Sequence, residues 1–165
     1  MKKNRSIHNV TRFLYESNAI ESVFDETSLE QATLAWRYLA NEKKITLENI
    51  LKTHRLLMSF LLPEKDKGSL RKVDVGMFLA NGEFKKFKSW RVVPKLLGEW
   101  IKKANKSKTE EEIKQDHIEL LKIHPWLDGN GRCSRIIMNY QRIKVGLPIL
   151  VIYESQKQKY YSWFD

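Results

Sequence analysis

The stretch Ile123-His124-Pro125-Trp126-Leu127-Asp128-Gly129-Asn130-Gly131-Arg132-Cys133-Ser134-Arg135 constrains this chain more than any other, because its flanks read as helices while its centre cannot be helical. Upstream, Thr109 and Glu112 have capping-box spacing, and Ile113, His117, Leu120, Leu121 and His124 recur at helical intervals. Pro125 stops that helix. Downstream, Ile136, Ile137 and Tyr140 repeat with a period near 3.6 until Gly146 and Pro148, so a second helix is expected to begin near 130–132. Residues 109–146 are therefore predicted to form a helix, a loop and a helix.

A helix that starts just after Gly129-Asn130-Gly131 points its free backbone N–H groups and the positive end of its dipole into the loop, which makes an anion site. Glycines allow close backbone approach, and Arg132 and Arg135, three apart, add two planar forks suited to phosphate oxygens. Asp128 is placed to hold Mg²⁺ against such phosphates, since Mg²⁺ commonly takes one or two carboxylates and fills its other sites with water and substrate. His124, with an ordinary pKa of about 6.5, can accept a proton near neutral pH. These are the parts of a phosphoryl- or nucleotidyl-transfer site.

The stretch resembles the signature of the Fic family, His-Pro-Phe-x-Asp/Glu-Gly-Asn-Gly-Arg-x-x-Arg, with Trp126 where Phe is usual and every polar position matched. The resemblance extends to His117, seven residues before His124, to Gly146-Leu147-Pro148 and to Glu16-Ser17-Asn18-Ala19-Ile20-Glu21, which is similar to the family's inhibitory segment. It implies transfer of AMP from MgATP to a hydroxyl on a target protein. His124 would be the base, Asp128 the Mg²⁺ ligand, Gly129, Asn130 and Gly131 the phosphate cradle, and Arg132 and Arg135 the partners of the outer phosphates. It also implies that Ser17 and Glu21 are inhibitory, with Glu21 pairing with Arg135. Ser22 departs from the family's Gly or Asn, which bears on how that helix ends.

Elsewhere the chain reads as mainly α-helical. Residues 9–23, with Val10, Phe13, Leu14, Ile20 and Val23, read as a short helix. Thr27-Ser28-Leu29-Glu30 carries a capping signal for the next, and Thr46 opens another whose stripe of Leu47, Ile50, Leu51, Leu57, Met58 and Leu61 reads as core before Pro63. His54 lies on that stripe and reads as a packed, hydrogen-bonded histidine. Val73 to Leu79 alternate with period two, and Asn81-Gly82 is a turn before Phe84-Lys85-Lys86-Phe87, so residues 73–88 are expected to form one β-hairpin. The family resemblance makes this hairpin the flap on which a target protein docks by strand addition. Pro94 to Ala104 supply a further helix, Ile149 to Tyr153 are a β-branched run, and a last helix begins near Glu154. Cys133 and Trp126 read as packing residues.

Length and composition fit a single domain over residues 1–165. A net charge of +10 raises nucleic-acid binding, but the lysines are dispersed without a recognisable motif, so a solvated surface is the expectation and nucleic acid is not an expected partner. The one cysteine excludes an internal disulfide, and neither a membrane-spanning run nor a signal-peptide core is present, so a cytoplasmic protein with no membrane partner is expected. A homo-oligomer is compatible with the sequence. Beside AMP transfer stand transfer of another phosphate-containing group or removal of AMP on the same fold, and a non-enzymatic nucleotide- or nucleic-acid-binding module. Zinc hydrolysis lacks its ligand pattern.

Overall fold

The computed structural model describes residues 2–78 and 82–164, with side chains from residue 9 onward. Among these residues the architecture is mainly α with one two-stranded hairpin, as the sequence predicts. Helices α1 (Lys2–Ile20), α2 (Glu26–Ala40) and α3 (Leu47–Leu57) precede strands β1 (Gly76–Phe78) and β2 (Phe84–Lys86). Helices α4 (Val93–Ala104), α5 (Glu110–Ile123), α6 (Asn130–Lys144) and the short α7 (Lys157–Tyr161) follow. No helix among the described residues is long and apolar enough to cross a membrane.

The core forms where α2 packs on α3 and where α5 packs on α4 and α6. Phe13, Trp36, Leu39, Ile50, Leu57, Leu97, Trp100, Leu120, Ile123, Ile136, Ile137 and Tyr140 fill it. Helix α6 is buried on nearly every side from Arg132 to Arg142. Several of its polar side chains are buried with partners: Asn139 exchanges two hydrogen bonds with the Leu150 backbone, and Arg142 donates to Pro148 O and pairs with Glu110. Ile149 to Tyr153 join no sheet among the described residues, and Asn139 takes both backbone groups of Leu150 within that run.

Several boundaries differ from the sequence reading. Helix α1 is long, not short, and ends at Ile20. Ser22 adopts the left-handed conformation (φ 59°), while Ser22 N–H bonds Ala19 O and Val23 N–H bonds Asn18 O, the Schellman pattern in which glycine is usual. Serine thus closes the helix in the family's Gly or Asn position. The cap of α2 is Asp25, whose carboxylate accepts from Ser28 N–H, rather than a residue of Thr27–Glu30. Leu47 and Leu61 are exposed and lie off the core stripe. The hairpin strands are shorter than 73–79 and 84–87, with Gly76 opposite Lys86 and Phe78 opposite Phe84; Leu79 and Asn81 lie outside the described residues.

Candidate active site

The capping box predicted at Thr109 and Glu112 opens α5, and His124 closes it in the left-handed region (φ 52°, ψ 64°). A following proline disfavours the right-handed helical conformation, so His124 leaves the helix while its N–H still bonds Leu120 O at 3.0 Å. Such a backbone persists in a non-glycine residue only where its surroundings hold it. Arg71 does this. Its Nε donates to His124 O at 2.7 Å, its backbone N–H bonds Pro125 O at 3.0 Å, and its guanidinium also donates to Val73 O and Lys88 O at the two sides of the hairpin base.

The His124 ring stacks on Phe87 with centroids 3.8 Å apart, and its Nδ1 faces Leu121 O at 3.3 Å. A proton on Nδ1 leaves Nε2 as the basic nitrogen. Burial pushes the imidazole pKa down to about 4, opposed by the Leu121 carbonyl and helped by the Arg71 cation, so the ring is neutral near pH 7. A neutral imidazole with one unshared lone pair is a proton acceptor.

Between His124 and α6 the loop is fixed by side chains from elsewhere. The Asn130 amide bonds both Trp126 N–H (3.0 Å) and Trp126 O (2.9 Å). Its side chain therefore turns inward, and what Asn130 offers an anion is its backbone N–H. His54 accepts from Gly68 N–H at Nδ1 (3.0 Å), which places its proton on Nε2, 3.0 Å from Asp128 O. Its ring stacks on Trp126 at 4.7 Å, and burial pushes its pKa down to about 4. The packed histidine of the sequence reading is thus also the support of the loop. Gly129 takes φ 76° with Met58 Sδ so close that a Cβ there would stand 2.6 Å from it. Cys133 and Trp126 are fully buried packing residues, and burial pushes the Cys133 thiol pKa up.

The N-terminus of α6 has no side-chain cap, so its first-turn N–H groups open into a cleft of about 140 Å³ lined by Glu21, His124, Leu127, Asp128, Gly129, Asn130, Gly131 and Arg132. Arg132 is buried against Met58 Sδ, yet its Nε and Nη1 have no hydrogen-bond partner among the described residues. Uncommitted guanidinium nitrogens beside a helix N-terminus are an anion site awaiting charge. Asp128 turns one oxygen to Gly129 N–H (2.6 Å), while the other lies 3.9 Å from Arg132 on a side chain 63% exposed. One uncommitted carboxylate oxygen fits a Mg²⁺ ion whose remaining ligands are phosphate oxygens and water. The described residues contain no group of three acid, histidine or cysteine ligands to hold a metal alone.

Arg135 is differently placed. Its Nε donates to Ser17 Oγ (2.9 Å), Nη2 donates to Ser17 O (2.9 Å) and Glu21 Oε1 (2.8 Å), and Nη1 donates to Tyr160 Oη (3.2 Å). Burial works against this charge, but Tyr160 and Glu21 outweigh it and the pKa is raised. The same Glu21 oxygen lies directly over Gly131, so close that a Cβ there would push the carboxylate aside. The carboxylate therefore stands in the cradle. Arg71, Phe87 and Tyr160 were not singled out in the sequence: Arg71 sat unmarked in a basic run, and the other two lack any local motif.

The Fic/DOC family model matches residues 44–141, more than half of the chain. The chain belongs to the Fic/DOC family. That match takes in α3 to most of α6, and leaves Glu21 and Tyr160 outside it. Similar curated proteins are named protein adenylyltransferase Fic: one from Drosophila virilis is 28% identical over 150 residues and one from Drosophila erecta 29% over 154. Each alignment covers 87% of this chain but 30% of the relative, so the Fic chain here spans about a third of those proteins. Among solved structures, a Fic domain-containing signaling protein from Bacteroides thetaiotaomicron superposes with a TM-score of 0.86 at 18% identity, covering 97% of this chain and 72% of that one. A Fic family protein from Desulfovibrio desulfuricans gives 0.79 at 22%, covering 95% and 56%. At these identities the structures establish a shared Fic fold.

Proposed function

We propose that this chain, taken as one Fic-like domain over residues 1–165, is a protein adenylyltransferase that moves AMP from MgATP to a hydroxyl of a target protein. The observation that carries this reading is the pairing of a neutral His124 with an uncapped helix N-terminus and an Arg132 whose Nε and Nη1 have no partner among the described residues. His124 Nε2 takes the hydroxyl proton as the oxygen attacks the α-phosphorus. The bond from that phosphorus to the bridging oxygen of the β-phosphate breaks, and pyrophosphate leaves with the electron pair. General-base help of this kind is worth roughly 10²–10⁴ in rate, and oriented N–H groups and arginines add charge stabilisation. Asp128 would hold Mg²⁺, whose charge offsets that of the phosphates when it is bound.

A target segment would lie along the hairpin. Support comes from Phe87 on the His124 ring and from Arg71, which ties both sides of the hairpin base to the His124 carbonyl, so that a strand added to the hairpin is registered to the base. A cytoplasmic setting, where MgATP is available and Cys133 stays reduced, suits this chemistry.

The α1 end is read as an inhibitor of the same site. The Glu21 carboxylate already fills the space over Gly131 in that cleft, where a phosphate oxygen would have to sit. Glu21 must therefore leave Arg135 and Gly131 before a nucleotide seats productively. A charge-assisted pair contributes on the order of 1.5–3 kcal/mol, equivalent to about ten- to hundredfold suppression. Incubation of wild type and Glu21→Gly with ATP, CTP, GTP or UTP and Mg²⁺, followed by intact-mass analysis, tests the reading. Covalent gain of AMP from ATP is expected, stronger in the variant; gain of phosphate alone, or none in either protein, contradicts it.

A further inference from the structure

Arg135 has partners of two origins. Ser17 and Glu21 belong to the end of α1, where Ser17 is buried and the Glu21 side chain, 35% exposed, is the partner that can turn away. Tyr160 comes from α7, outside the residues that the family model matches. An arginine only donates, so the phenol oxygen accepts from Nη1 and its own proton goes to His117 Nε2, 2.9 Å away. The imidazole proton is then on Nδ1, turned toward the Ser134 backbone without a hydrogen bond of ordinary geometry. All three side chains are deeply buried, and the Tyr160 ring is packed among Ile20, Ile113, Met138 and Ile152.

We propose that Tyr160, anchored by His117, is a positioning residue for the outermost phosphate of the nucleotide, holding the Arg135 guanidinium in place once Glu21 has left it. This rests on the reading of Arg135 as a phosphate partner under the proposed function. A guanidinium on a free stem loses rotamer freedom each time it binds, whereas one already held by a fixed hydroxyl loses less. The benefit falls only on the group that Arg135 meets. The phosphates nearer the sugar, served by the α6 N-terminus and Arg132, do not depend on it.

The test uses the Glu21→Gly protein with Mg²⁺, measuring affinity for ATP and for ADP by calorimetry, together with KM and kcat for AMP transfer. Adding Tyr160→Phe, which keeps the packed ring and removes only the hydroxyl, is expected to weaken ATP binding about two- to tenfold, the worth of one hydrogen bond, and to leave ADP binding unchanged. KM for ATP rises in step, and kcat stays within about twofold. In an Arg135→Ala background the same change should be silent. Equal loss for ATP and ADP would show a packing role and overturn the proposal, as would an unchanged ATP affinity or a loss that persists without Arg135. If Glu21→Gly itself binds ATP and ADP equally, Arg135 does not meet the outer phosphate and the underlying reading falls with it.

Discussion

Residues 124–132 and residues 17–23 face each other across the cleft, and they are held in different ways. The first segment is tied at several peptide groups, from outside by Arg71 on His124 O and His54 on Asp128 O, and from within by Asn130 on both backbone groups of Trp126. Moving it would leave several buried polar groups unpaired, at about 1–3 kcal/mol each. In the second segment residues 17–20 are buried, and what reaches the phosphate site is bound to one guanidinium, which holds Ser17 Oγ, Ser17 O and the partly exposed Glu21 Oε1. Phosphate oxygens offer that guanidinium equivalent acceptors. Under the proposed function the loop is a fixed wall and the Glu21 carboxylate a replaceable plug.

The wall can be broken at its chemistry or at its supports. In the Glu21→Gly background, His124→Ala is expected to lower the initial rate of AMP transfer about 10²–10⁴-fold with ATP affinity nearly unchanged, since the imidazole acts on the incoming hydroxyl. Unchanged turnover would remove His124 as the base. Arg71→Lys keeps a charge but loses the fork that spans the hairpin base and His124 O. In the same background about a tenfold lower rate is expected, again with ATP affinity little altered; an equal drop in ATP affinity would mean that the whole cleft had loosened rather than the base alone.

The plug has a smaller support. Lys157 Nζ donates to Ile20 O at 2.6 Å, a cation at the C-terminal end of α1 where the helix dipole favours it. Lys157→Met is expected to raise the wild-type rate about two- to fivefold and to have no effect once Glu21 is Gly, which initial rates of the single and double variants would show. A gain that survives in the Glu21→Gly protein would separate Lys157 from the plug.

The least specific effect is on acid stability. Burial holds His54 and His124 at pKa values of about 4 and His117 at about 3, below the ordinary 6.5 of an unfolded chain. The unfolded chain therefore takes up protons first as pH falls. The stability these rings contribute is complete above about pH 6.5 and is lost as pH drops toward 4, at up to about 1.4 kcal/mol per pH unit for each. Melting temperature against pH should fall through that window, and a flat profile would mean that the rings are not buried neutral.

How much of this was legible in the sequence depends on whether a residue's partner was near it in the chain. His124, Asp128 and Arg132 stand in one short loop with recognisable helix signals on each side, so their grouping could be read directly. Glu21 became readable only through the family resemblance, because its partner Arg135 is 114 residues away. Arg71 was hidden: in sequence it is one more cation in a basic run, and only burial reveals four backbone carbonyls around it. His54 was rightly read as packed, but its support of Asp128 crosses 74 residues. The helix boundaries that shifted are local in another sense: Asp25 outcompetes Thr27 as a cap because its carboxylate reaches Ser28 N–H, and Ser22 accepts a left-handed backbone that glycine usually takes.

The proposed inhibition requires the Glu21 carboxylate to occupy the place of the nucleotide's outer phosphate. The most direct measurement is the initial rate of AMP self-modification for wild type, Glu21→Gly, and Glu21→Gly with His124→Ala, at equal MgATP. The expected result is a Glu21→Gly rate about tenfold or more above wild type, abolished when His124 is also changed. A Glu21→Gly rate no higher than wild type would contradict the account and leave the α1 end as a structural helix.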